Sequence, residues 1–237
     1  MDKIPKNHRI PRLCWVIFQV LQLSAIGLMI WALFTSSWVE LNIPGFYGDL
    51  KWSGSLTSVR KGLRALEGST YSELSSAYCS ITQKSKDIPK KEPSWCEMFA
   101  LLWVGEIVYY ILEGVAIIAI LIWIYTIGFR LKIHTSYWKT PGLCWAYLSC
   151  ISHEIAFITW MILSNATFSG ECDQESEGKS PPELCALKGP TIALILAVVL
   201  PIFSISYMLL TRFLPKIVEE KGIIKEDSEG KLNEADV

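Results

Sequence analysis

The chain has 237 residues, 51% of them hydrophobic and 12% aromatic, with a mean hydropathy of +0.33. That apolar content points to a bilayer rather than water as the solvent of most of the chain. Net charge is only −1, with the charged residues clustered outside the apolar runs; no basic surface exists to neutralise a phosphate backbone, which excludes nucleic acid as a partner.

A basic segment, 1–12, precedes the first apolar run, 13–35. This run is too long for the apolar core of a signal peptide and lacks a small-residue cleavage site. It ends in Trp31, Phe34 and Trp38, placed as interfacial anchors, so it reads as a retained span. Further spans are expected at 98–129, 142–164 and 190–211, each long enough at 1.5 Å per residue to cross a hydrocarbon core of about 30 Å. The second, about 48 Å long as a helix, should protrude beyond the headgroups. The predicted fold class is therefore an all-α membrane protein, a four-helix bundle.

The region 36–97 is the largest outside the spans. Its aromatic-rich stretches 38–41 and 46–52, punctuated by Pro44, Gly45 and Gly48, predict short strands of a small sheet. Over 56–78 the apolar residues Leu56, Val59, Leu63, Leu66, Leu74 and Ala77 recur at three- and four-residue steps, predicting one or two amphipathic helices. Phe46, Tyr47, Trp52, Tyr71 and Tyr78 are candidate anchors for a partner, although some must fill the loop's own core.

Ionisable residues inside spans are costly, about 2.5 to 3.5 kcal/mol at the bilayer centre, and so carry functional information. Glu106 and Glu113 are seven residues apart on one face of the second span. His153 and Glu154 lie near the middle of the third. These two spans are joined by the short basic segment 130–141 and should be antiparallel neighbours, so Glu113 and His153 can meet at one depth. An interhelical hydrogen bond is expected there, with a proton or cation path as the sharper alternative.

The second loop, 165–189, is acidic and turn-rich, and it opens on the sequon Asn165-Ala166-Thr167, a candidate glycosylation site close to the membrane. On the fourth span Gly189, Ala193 and Ala197 recur every fourth residue, a smooth ridge for packing inside the bundle or for a partner's span. The tail 212–237 is acidic with little apolar content, predicting disorder from 218 onward, and its terminal Val237 is a candidate ligand for a PDZ-type groove.

Orientation follows from the basic residues nearest the spans. Lys3, Lys6, Arg9 and Arg12, then Arg130, Lys132 and Lys139, then Arg212 and Lys216 all belong on the cytosolic side. Both termini are then cytosolic, and 36–97 and 165–189 lie outside, in the plasma membrane or secretory pathway. Cysteine placement agrees, since Cys79 and Cys96 fall in the first outer loop and Cys172 and Cys185 in the second, where disulfides persist. One bridge within each loop has the lower closure cost; pairing between loops is the alternative. No C-x-x-C occurs, which opposes a thiol oxidoreductase. Nor is there H-E-x-x-H, G-x-S-x-G or a P-loop, so no catalytic residue, metal or cofactor is expected.

Four spans, cytosolic termini, a larger first outer loop, Trp38 in T-S-S-W-V-E-L, and Gly48, Leu50 and Trp52 in G-D-L-K-W together resemble the claudin and peripheral-myelin-protein superfamily. The chain departs from that pattern in lacking a cysteine shortly after Trp52, in the wide Cys79 to Cys96 spacing, and in its second-loop cysteines. The resemblance implies a left-handed bundle with a small extracellular sheet. It further implies lateral or cell-to-cell association, or a grip on a channel, receptor or junction protein in the same bilayer. The expected function is thus that of a non-enzymatic structural or auxiliary subunit, with a homo-oligomer as a further mode of association. A transporter or pore-forming subunit using Glu106, Glu113, His153 and Glu154 is the alternative.

Overall fold

A computed structural model of the chain describes residues 9–43, 50–62, 66–84, 95–133, 139–168 and 184–233. The apolar runs form four long helices, α1 (Arg9–Phe34), α3 (Trp95–Ile133), α4 (Lys139–Ser164) and α5 (Lys188–Asn233), with a short polar helix, α2 (Tyr71–Lys84), between α1 and α3. Each long helix contains a stretch long and apolar enough to cross a membrane: 13–34, 95–128, 140–164 and 188–211. A helix suits such sequences because it satisfies every backbone polar group within its own segment. Their outward faces carry Val16, Leu23, Ile111, Ile118, Ile155, Ile162, Val198 and Ile205, all exposed. Outward apolar faces on four such helices suggest a membrane-embedded protein.

Five short strands, β1 (Val39–Ile43), β2 (Leu50–Gly54), β3 (Val59–Lys61), β4 (Ala166–Thr167) and β5 (Leu184–Ala186), form one sheet at one end of the bundle, in the order β3-β2-β1-β5-β4. β1 pairs antiparallel with β2, Leu41 opposite Trp52, and with β5 on its other side. β4 and β5 run parallel. Both loops therefore contribute to one sheet, a closure not expected from the sequence, in which the second loop reads as a separate tip.

The predicted helices over 56–78 are half right. Helix α2 begins at Tyr71, where the Glu73 carboxylate accepts from Thr70 N–H at 2.9 Å and Thr70 Oγ1 accepts from Glu73 N–H at 3.3 Å, a reciprocal cap. Upstream, Leu56 and Val59 are buried at helical spacing but belong to a turn and to β3. Ser55 accounts for this: its Oγ accepts from the backbone N–H of Thr57 and Ser58, and serine side chains that bond their own backbone favour turns over helix.

Helix α3, 39 residues and about 58 Å long, extends past the bundle beside the sheet. Phe99 and Leu102 on its early turns join Trp52, Leu56, Val59, Tyr71 and Leu74 in one core. The Cys79–Cys96 disulfide ties α2 to its first turn. Two further clusters fill the bundle, an aliphatic one around Ile26, Met29, Ile120, Leu196 and Leu200, and an aromatic one around Trp15, Phe18, Trp123 and Tyr207 at the end away from the sheet. Helix α5 continues to Asn233, through most of the tail where disorder is predicted.

Candidate functional site

Trp38 joins the sheet to the bundle. Its N–H donates to Gly54 and its carbonyl accepts from Leu187, so its backbone is held between both loops. The fully buried indole donates from Nε1 to the Ala32 carbonyl at 2.8 Å and packs edge-on against Tyr109 and Trp160, with centroids 5.0 and 4.8 Å away. Gly189 lies under the same ring, where an added Cβ would stand 2.5 Å from the indole.

One helical turn further into the bundle, Glu113 and His153 are wholly buried and joined by a 2.7 Å contact between Oε2 and Nδ1. His153 Nε2 lies 2.9 Å from the carbonyl of Ala193. A carbonyl only accepts, so Nε2 carries a hydrogen and donates it. Nδ1 and Oε2 then share one proton, as carboxylic acid with imidazole or as carboxylate with imidazolium. Either form leaves the pair neutral overall, which an apolar interior requires. Three helices, α3, α4 and α5, are thereby locked at one level. Glu113 Oε1 and the Tyr109 hydroxyl are buried with no hydrogen-bond partner among the described residues.

The other two acids differ. Glu154 Oε1 accepts from the Cys150 thiol at 3.2 Å on the same helix. Glu106, half-buried on α3, receives no hydrogen bond or ion pair from any described residue. It lies close enough to Tyr71 that, after burial, its charge is the next cause holding that phenol well above its ordinary range.

The small-residue ridge on α5 faces inward. Gly189 packs on Trp38, Ala193 is wholly buried and accepts from His153, and Ala197 packs partly buried on the sheet-end core. As a surface for a partner's span it is therefore corrected: the bundle's own indole and imidazole occupy it. Trp52 and Tyr71 are likewise corrected as partner anchors, being 2% and 1% exposed in the loop's core, while half-buried Tyr78 packs at a tilt against Phe99 and Trp95. Phe46, Tyr47, Cys172 and Val237 lie outside the described residues. Cys185 is disulfide-bonded, and Asn165 is exposed with φ of 49° at the end of α4. Among the described residues no three His, Cys, Asp or Glu side chains converge as a metal-binding group.

Gln22 went unremarked in the sequence. It is 1% exposed on α1, and both its amide atoms lack partners among the described residues. A glutamine inside an apolar run was the available signal.

Comparison with models of known protein families gives no match, and comparison with curated proteins gives none either.

Proposed function

We propose that this chain is a claudin-like four-span membrane protein, not an enzyme, that acts as a structural or auxiliary subunit by associating with other membrane proteins. Its termini are cytosolic and its sheet lies outside. The observation that supports this best is the sheet end. Strands from both loops, seated on the bundle through Trp38 beside a helix, α2, that the Cys79–Cys96 bridge ties to α3, make a preformed platform that can present a partner surface with little ordering cost.

The test is purification of the full chain from its native membrane after mild cross-linking. A stoichiometric complex with a second integral membrane protein supports the reading; a chain that runs alone or only as its own oligomer overturns it. A transporter would draw on the same buried acids. Proton or cation flux through reconstituted protein, abolished in Glu113→Gln with the fold intact, would replace the first reading with that one.

A further inference from the structure

Glu106, Glu113, His153 and Glu154, the acidic and histidine side chains set more than two turns from the ends of the apolar spans, are not equivalent. Glu113 is answered by His153 at 2.7 Å in the closed interior, and half-buried Glu154 by the Cys150 thiol at 3.2 Å on its own helix. Glu106 alone among these acids has no partner among the described residues, and it is half-buried rather than sealed. It lies at the flank of α3 where the buried face, Leu102, Tyr109 and Glu113, turns toward the exposed one, Val104, Ile107 and Ile111. Trp103, 40% exposed, and half-buried Tyr110 stand three residues before and four after it, and such neighbours share a helix face. A carboxylate one helical turn from two aromatic side chains, on a largely apolar flank with the Tyr71 phenol near it, is suited to an organic cation: the charge neutralises the acid and aromatic rings attract it further.

We propose that Glu106, flanked by Trp103 and Tyr110, is the contact at which this protein receives a lysine or arginine side chain from a partner's membrane helix. The occupant is a helix because Val104, Ile107 and Ile111 beside Glu106 are apolar and exposed, and cationic because a positive charge both donates to the acid and neutralises it. This inference rests on the proposed lateral association and names the chemistry of its contact.

The experiment uses full-length protein in vesicles with a labelled, leucine-rich single-span peptide carrying one lysine at the depth of Glu106, and its all-leucine parent. Energy transfer reports association. The lysine peptide should bind wild type about tenfold more tightly than its parent, the factor that about 1.4 kcal/mol confers. Glu106→Leu should abolish the preference, and Glu106→Lys should transfer it to a peptide bearing glutamate. The intact Cys79–Cys96 bridge and unchanged helicity report folding in each variant. Equal binding of the lysine and leucine peptides to wild type overturns the inference, as does a preference that survives Glu106→Leu. A preference present in phosphatidylglycerol vesicles but absent in phosphatidylcholine assigns the site to the choline headgroup and overturns it too. If a native complex exists but is unaffected by Glu106→Leu, this contact fails and lateral association stands. If no native complex exists, lateral association fails whatever the peptides do.

Discussion

His153 shows how one side chain can fix three helices, since from α4 it meets Glu113 of α3 and the Ala193 carbonyl of α5. Replacing Glu113 with leucine leaves His153 Nδ1 buried without a partner, and an orphaned buried polar group costs about 1 to 3 kcal/mol. Glutamine keeps a donor for Nδ1, so Glu113→Gln should remain close to wild type in a denaturant titration of the detergent-solubilised protein. Glu113→Leu with His153→Leu should recover much of the loss, because neither partner then remains unpaired. If Glu113→Leu alone is as stable as wild type, the pair does not lock the bundle. This pairing could be anticipated from two ionisable residues in antiparallel neighbours at matching depth. The Ala193 carbonyl and the Cys150 thiol could not, because which backbone oxygen or neighbouring side chain meets a buried group depends on the rotation of each helix about its axis, which an all-round apolar sequence leaves unspecified.

Helices and strands carry different amounts of their placement in the chain itself. The four long helices were legible because an apolar run near twenty residues has few alternatives. The strands were legible only in part: the aromatic stretches located β1 and β2, but β3 hides in a spacing that mimics a helix, β5 takes the free edge of β1, and β4 takes that of β5. Long-range pairing of this kind leaves little local trace. A packing detail at the β2 to α2 junction tests the arrangement. Gly54 lies against the hydroxyl of Tyr71, which donates to the Ser55 carbonyl at 2.7 Å, and a Cβ at Gly54 would collide with that hydroxyl. Gly54→Ala should destabilise the sheet end by about 1 to 3 kcal/mol, as overpacking does. Adding Tyr71→Phe removes the colliding oxygen and should restore part of the loss, although Val39 and the Ser58 carbonyl still crowd the methyl. Amide exchange of β2 and α2 measures both effects. A double variant no more protected than the single one would place the clash elsewhere.

For the whole molecule, sidedness is the property on which every proposed contact depends, and two independent features point the same way. Most of the basic groups nearest the apolar spans, Arg9 and Arg12 on the first turns of α1, Arg130, Lys132 and Lys139 about the α3 to α4 connection, and Arg212 and Lys216 on α5 beyond Thr211, stand at the end away from the sheet, with Lys188 at the sheet end the exception. Lysine and arginine near span ends favour the cytosolic side. The Cys79–Cys96 bridge belongs to the sheet end, and such bridges persist in an oxidising exterior or lumen. A topology with the sheet in the cytosol would put the bridge where thiols stay reduced and the basic ends where translocation disfavours them. In intact cells, an epitope inserted between Gln174 and Glu175 should therefore bind antibody without permeabilisation, whereas one appended after Val237 should bind only after it. Alkylation before reduction should leave Cys79 and Cys96 unmodified. Antibody access to the Val237 epitope in intact cells, or alkylated Cys79 and Cys96, would turn the molecule over; the platform for partners would then face the cytosol, and Glu106 would meet cationic residues at the inner interface instead of the outer one.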